Sequence, residues 1–303
     1  MFRQPIDFIA DSETMQRTWS VEESLGYTRW LATHHYENFH VVSLFLPKRL
    51  HQDFFNVYSY CRWSDDLGDE TGSTEKSLKL LGWWRGLLRD MYAGHAPSHP
   101  VFVALARTVE KHRIPIQPFD NLLDAFIQDQ TQTRYQDWDD VLGYCVNSAN
   151  PVGRLVLMLC GYRDEERFRL SDATCTALQL ANFWQDVSVD LLKDRVYLPL
   201  HLFDRYGYTV PQLYRREYTP EFAELMKEAV DHAQGLFEQG LPLVKMLDKR
   251  LALDIDLFSR GGMRVLDKIR RQRYDVLSRR PSISKTERAV LLVRSLARTA
   301  LAS

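Results

Sequence analysis

Two aspartate pairs recur at one spacing in distant parts of the chain: Asp65 with Asp69, and Asp186 with Asp190. Each pair falls in a stretch with helical periodicity. Four residues is just over one turn, so both carboxylates of a pair leave one helix face, about 6 Å apart along the axis. Two such faces turned toward each other form a cage of hard oxygen ligands. That cage suits Mg²⁺, and Mg²⁺ suits a diphosphate. One such pair alone is more often solvated surface, so the neighbours decide. Tyr58, Arg62, Asp65 and Asp69 recur at four, three and four residues and form one polar stripe. Arg62 can donate two hydrogen bonds to a phosphate, and Tyr58 one. Gln179, Asn182, Asp186 and Asp190 share a face by the same arithmetic. The amide oxygens of Asn182 and Gln179 fit beside a hydrated cation, and Arg195 follows the helix end where it can fold back over an anion.

The elements that must hold these stripes are helical. Periodicity predicts helices over 22–34, from Pro47 to about Trp63, and over 73–91, 101–112 and 118–130, with the breaker Ile114-Pro115 between the last two. A long apolar helix is expected over 137–160, interrupted by Pro151. Ser171 is the expected cap of a helix running to about Leu192. Helices over 220–239, 244–278 and 284–301 follow. Alternating strand patterns are nearly absent, no repeat appears, and no Gly/Ser-rich or Pro-rich linker divides the chain. The expectation is one all-α domain over 1–303, with its core at about 20–280 and a central cavity between helices.

The blocks Tyr58 to Glu70 and Gln179 to Pro199 resemble the two aspartate-rich motifs of the squalene/phytoene synthase family, over roughly His35 to Arg280. The resemblance implies an isoprenoid synthase fold. It implies that Asp65, Asp69, Asp186 and Asp190, with Asn182, hold two or three Mg²⁺ ions on a diphosphate. Tyr58, Arg62, Gln179 and Arg195 then line the same site. The stretch His35-Tyr36-Glu37-Asn38-Phe39, the stretch Tyr144 to Arg154 and the stretch Asp124 to Tyr135 are similar to bacterial hydroxysqualene synthases of hopanoid biosynthesis. On that likeness His35, Asn38, Asn150 and Arg154 contact substrate, Tyr144 lies near it, and Asn150 is the group to watch as a positioner of water. The implied reaction ionises presqualene diphosphate and captures water, with no NADPH. A presqualene diphosphate synthase is the implied pathway neighbour. Two rivals stand beside it: a head-to-head synthase making squalene, dehydrosqualene or presqualene diphosphate from farnesyl diphosphate, and a non-catalytic lipid-binding or assembly protein on the same fold. Where many relatives carry a Tyr on the late helix, Gly262 stands here, and the missing phenol is expected to leave space near the departing group.

Several other features carry weaker signals. Phe39, Phe54, Phe126 and Trp184 are candidates to shield a carbocation by their aromatic faces, against ordinary core packing as the alternative. His34 and His35 are adjacent and point to different faces, so they make no metal pair. The late arginines and lysines, Arg264 to Arg280, read as a solvated basic face or as a contact with anionic lipid, with the amphipathic stretch Ala289 to Ala302 beside them. The net charge of −1 gives no bulk argument for nucleic acid. The four cysteines show no metal spacing and read as core thiols. With no signal peptide pattern and no long apolar run, the expectation is a cytoplasmic protein, peripheral at most at the inner face of a membrane.

Overall fold

The computed structural model describes residues 2–34 and 46–301. It is 76% helical, with no strand among the described residues, in line with the all-α expectation. Contacts group the chain into two compact units, one of residues 1–131 with 154–163, the other of residues 132–153 with 164–303. Each is described by itself.

The first unit contains α1 (Pro5–Ala10), α2 (Ser12–Gln16), α3 (Val21–His34), α4 (Lys48–Asp69), α5 (Thr74–Tyr92), α6 (Pro100–His112) and α7 (Gln117–Gln128). Helix α4 packs against α3, α5, α6 and α7. Pro47 stands at its N-cap, where a missing N–H costs no helical bond. The helix runs six residues past the expected end at Trp63, to Asp69, so the whole first stripe is helical. Buried polar groups fix how α3, α4 and α6 meet. The Thr28 hydroxyl donates to Asn56 at 2.6 Å, and the Asn56 amide donates to the Ala104 carbonyl at 3.1 Å and to Thr108 at 3.0 Å. Asp53 accepts from Thr108 at 3.0 Å and from Lys111 at 2.6 Å, and His112 lies 3.0 Å away. Such satisfied groups specify one register, since any slip would strand a buried donor.

An aromatic box closes this core. Trp63 stacks on Trp84 with ring centres 4.9 Å apart, and His99 stands edge-on to both at 4.5 and 4.9 Å. His99 Nδ1 accepts the Val101 N–H at 3.3 Å and so caps α6. This requires a neutral ring, and burial pushes the His99 pKa down to about 3.

The second unit contains α8 (Trp138–Ser148), the first residues of α9 (Asn150–Leu159), α10 (Glu165–Asp190), α11 (Leu200–Tyr206), α12 (Val210–Tyr214), α13 (Pro220–Gly240), α14 (Lys249–Arg271) and α15 (Lys285–Leu301). The expected helix over 137–160 is two helices that break at Ala149, with Pro151 in the first turn of α9. That position needs no N–H, so Pro151 starts a helix instead of kinking one. Asp164, and not Ser171, caps α10, accepting the Arg167 N–H at 3.1 Å. Ser171 is buried inside α10 because α9 crosses there. A Cβ on Gly153 would lie 2.3 Å from its Oγ. The expected helix over 244–278 is a 3-10 turn, Leu241–Met246, followed by α14. Helix α14 stops where Arg273 and Tyr274 take left-handed φ angles of 53° and 66°.

The His99 cap gives the first unit a pH dependence of defined sign. A folded-state value near 3, against about 6.5 when unfolded, means the unfolded chain binds a proton that the native box refuses. This contribution is complete above about pH 6.5 and is lost progressively as pH falls toward 3. Urea midpoints should therefore drop on acidification from pH 7 to 5. The His99→Asn variant keeps a capping side chain but should lose that part of the slope, at most about 1.4 kcal/mol per pH unit. Equal slopes in the two proteins would contradict this account.

Candidate active site

On α4 the first stripe is half-buried at Tyr58, Arg62, Asp65 and Asp69. Arg62 does not stand open as a phosphate donor. Its guanidinium lies 3.2 Å from Asp65 and also pairs with Asp66 one turn on. Asp66 is 4% exposed and was not among the expected site residues. Its signal was the Arg62–Asp66 spacing of four, which favours an ion pair on a helix. Phe126 and Gln130 pack beside Gly68, one residue before the end of α4: a Cβ there would be in ordinary contact, 3.4 Å from Gln130 Nε2 and 3.8 Å from the Phe126 ring. Phe126 thus lies beside the motif, whereas Phe54 is buried core. The expected contacts His35 and Asn38, and the candidate Phe39, lie outside the described residues.

On α10 the second stripe forms as expected. Asn182 is exposed, and Gln179, Asp186 and Asp190 are half-buried. After Asp190 a 3-10 turn (Leu191–Lys193) and a left-handed residue, Asp194 with φ 55°, bring the chain back. The Arg195 N–H then donates to the Asp190 carbonyl at 3.0 Å. So Arg195 folds back beside the motif, as its position past the helix end suggested. The returning segment pairs Val196 N–H with the Thr133 carbonyl at 2.9 Å and sets Tyr197 over Tyr135, ring centres 5.5 Å apart. Tyr144, 5% exposed, lies 5.6 Å from Tyr135 and 5.8 Å from Tyr197. Phe183 stacks on Tyr197 at 3.6 Å.

These rings make an apolar wall next to a carboxylate. A small cavity of about 10 Å³ is lined by Phe183, Val187, Asp190, Arg195 and Tyr197 among others. Burial, and then the charge of Asp186, push the Asp190 pKa up to about 7. Trp184, the expected shield, is fully buried and meets Trp138 edge-on, so it is core. Its neighbour Phe183 is the ring on the motif side. The spacing of seven to Asp190, two helical turns, carried that information. Asn150 is 8% exposed, and its side-chain oxygen accepts the Thr176 hydroxyl at 2.8 Å. That contact ties the start of α9 to α10. Arg154 is half-buried.

Two expectations need correction. Gly262 opens no space, because a Cβ there would fall 2.3 Å from Phe237 Cζ and 3.0 Å from Leu178 Cδ2. The room left by an absent side chain is filled by the Phe237 ring, and the glycine serves close packing of α14 on α13 and α10. Nor is the late basic segment a free solvated face. Arg264 and Lys268 both pair with Glu287 at 2.7 Å, and Arg270 with Asp231 at 3.1 Å. Arg280 grips Asp186 with Nε and with Nη2, the latter at 3.1 Å. Gln185 donates to the Pro281 carbonyl and holds this segment against α10. Nothing in local sequence pattern linked Arg280 to a residue 94 positions away.

The donor set fits hard divalent cations. Paired carboxylates offer the oxygen ligands such ions take, and burial first, then the neighbouring Asp186, disfavour the charged form of Asp190, which a cation would stabilise. Among the described residues no three His, Cys, Asp or Glu side chains converge into a ready-made metal cluster. Each motif supplies a pair.

Comparison with known proteins places this geometry. Residues 32–287 match the family model for squalene/phytoene synthase. The chain is 32% identical over 262 residues to a phytoene synthase from Thermus thermophilus, covering 86% of this chain and 88% of that one. It is 31% identical over 258 residues to a hydroxysqualene synthase from Rhodopseudomonas palustris, covering 84% and 86%. Among solved structures, squalene synthase HpnC from Alicyclobacillus acidocaldarius is 41% identical with a TM-score of 0.80, over 84% of this chain and 95% of that one. A dehydrosqualene synthase complex superposes with a TM-score of 0.82 at 22% identity, which speaks to fold alone.

Two measurements check this site. Gly262→Ala should lower stability by about 1–3 kcal/mol, the usual cost of overpacking a filled core position. A neutral substitution would restore the idea of vacant space. Arg280→Gln should lower the melting temperature of the metal-free protein modestly, since the pair is partly exposed. Added Mg²⁺ should then raise the melting temperature more in the variant than in the parent, because the cation no longer competes with a guanidinium. An identical Mg²⁺ response in both would show that Arg280 has no part in balancing Asp186.

Proposed function

The chain belongs to the squalene/phytoene synthase family, and we propose that within it this chain is a hydroxysqualene synthase acting on presqualene diphosphate. The observation that carries this reading is its likeness to proteins of squalene chemistry, the hydroxysqualene synthase at 31% identity and the squalene synthase structure at 41%. The residues that the family model matches include both aspartate stripes. The enzyme class is that of prenyl transferase-like synthases, and divalent metal is general in the family.

In this reading Asp65, Asp69, Asp186 and Asp190, with Asn182, would hold two or three Mg²⁺ ions, which would supply positive charge for the diphosphate. The chain does the rest. Arg62, Tyr58, Gln179 and Arg195 bind and orient the diphosphate by hydrogen bonds that strengthen as its charge develops. Breaking the carbon–oxygen bond leaves a carbocation that water would quench too early in an open site. Phe183, Tyr197, Tyr144 and Tyr135 offer ring faces, which attract a cation without trapping it. Arg280, paired with Asp186, would offer its guanidinium to the diphosphate if Asp186 held a cation instead. Water then adds to the rearranged cation and loses a proton, giving hydroxysqualene and diphosphate. No hydride donor enters this balance, so NADPH is not required.

A second reading is a synthase that joins two prenyl diphosphates, favoured by the likeness to phytoene synthase at 32% identity. Product analysis separates them. Incubation with presqualene diphosphate and Mg²⁺, without NADPH, should give hydroxysqualene whose hydroxyl oxygen carries label from ¹⁸O water. Asp186→Ala should lower that rate by roughly 100-fold or more, the scale of losing a main electrostatic stabiliser. Turnover of farnesyl or geranylgeranyl diphosphate alone, or squalene as the product, would overturn the first reading in favour of the second.

A further inference from the structure

Away from the aspartate stripes, a groove of about 600 Å³ runs between α13, α14 and α15 in the second unit. Its lining includes five arginines, Arg260, Arg264, Arg270, Arg271 and Arg294, against two carboxylates, Asp267 and Glu287. Arg264 and Arg270 are committed to Glu287 and Asp231, and Arg260 to Asp256. Arg271 and Arg294 are exposed and have no carboxylate partner among the described residues. The groove therefore holds surplus positive charge at its two flanks, while Met263, Val290 and Leu291 supply an apolar floor.

The helix that forms one wall is set with an apolar edge outward. Ser295 is fully buried and donates to Asp256 at 2.6 Å, which fixes the rotation of α15 on α14. Val290, Val293 and Leu296 follow at intervals of three and are 48%, 66% and 44% exposed. Residues three apart on a helix are neighbours, so these form one ridge. An exposed aliphatic ridge beside unpaired guanidinium groups is the pattern of a helix that lies in a membrane interface. We propose that α15 and this groove dock on an anionic membrane surface, with Arg271 and Arg294 on lipid phosphates and the Val290–Val293–Leu296 ridge in the acyl boundary.

Charge decides between occupants. A second copy of the chain packed on the same face by two-fold symmetry would bring its own surplus arginines against these. A small soluble anion would satisfy the arginines and leave the ridge in water. An anionic bilayer meets both demands at once. The proposal does not rest on the catalytic reading and can stand or fall without it.

Flotation of the full chain with phosphatidylglycerol-containing vesicles tests it, with phosphatidylcholine vesicles as the comparison. Binding should favour the anionic vesicles and weaken as salt rises. The double variant Arg271→Gln, Arg294→Gln should lower partitioning about 25-fold, at about fivefold per guanidinium. Val293→Asp should lower it as well, and both variants should keep the circular dichroism and melting temperature of the parent, because all three side chains are exposed. Absence of binding, equal binding to neutral vesicles, or variants that bind like the parent would overturn the proposal. So would full competition by inorganic diphosphate at ionic strength held constant, which would mark a soluble-anion site. A parent dimer in light scattering that Val293→Asp dissolves would assign the ridge to a second copy.

Discussion

Carboxylates that share one helix face repel each other, and the arrangement around both motifs answers that repulsion. On α4 the answer is local: Arg62, one turn before Asp66, bridges Asp65 and Asp66 within the same helix. On α10 nothing within the helix compensates Asp186 and Asp190, and Asp190 is driven toward its neutral form. Compensating charge comes from Arg195 and Lys193 just past the helix end and from far along the chain, with Arg280 on Asp186 and its segment pinned by Gln185. Both stripes therefore carry a guanidinium where a harder cation would serve a diphosphate. A guanidinium released from a carboxylate binds phosphate with the same planar fork. In the proposed function each arginine would offset carboxylate repulsion at rest and could bind a phosphate group once released.

For such exchanges to be reproducible, the carboxylates must not wander, and α10 supplies that rigidity in the second unit. Three glycines bring other segments close to it. Gly153 of α9 meets Ser171 and Cys175, Gly240 at the end of α13 meets Thr174, and Gly262 of α14 meets Leu178 and Phe237. At each, a methyl group would collide with atoms of α10 or its partners. Close approach trades side-chain volume for backbone proximity, so α10 is clamped along its length while its last turns stay half-exposed for chemistry. In the first unit the same service comes from the polar contacts of Asn56 and Asp53 and from the stacked Trp63 and Trp84.

The chemistry-bearing stripes were legible because they depend on a local rule, the phase of an α-helix. That rule placed Tyr58, Arg62, Asp65 and Asp69 together, and Gln179, Asn182, Asp186 and Asp190 together, without tertiary information. It also brought Arg195 back to the helix end. What failed was tertiary. Ser171 looks like a cap by composition, but its hydroxyl faces Gly153, and Asp164 does the capping. Trp184 was one of four candidate shields by its nearness in sequence to the motif, yet it is buried core and phase favours Phe183. Gly262 read as missing volume, although the volume belongs to Phe237. Arg280 sat in a run of basic residues whose default is solvent, and its attachment to Asp186 follows from a chain path no periodicity encodes.

The balance of charge and apolar surface around Asp190 also bears on whether the fold works as a catalyst or as a carrier of lipids. A carrier needs an apolar wall and gains nothing from a carboxylate set into it. The Phe183, Val187 and Tyr197 surfaces would pack against one another equally well beside an asparagine. A half-buried acid whose charge is disfavoured by burial and by its neighbour destabilises the fold, and strain of that kind is worth keeping only where it is relieved during function. In the proposed function a diphosphate with its counter-cations would supply that relief as charge separates. The placement of the acid against aromatic rings, instead of in open solvent, would then join departure of the anion to protection of the cation it leaves behind.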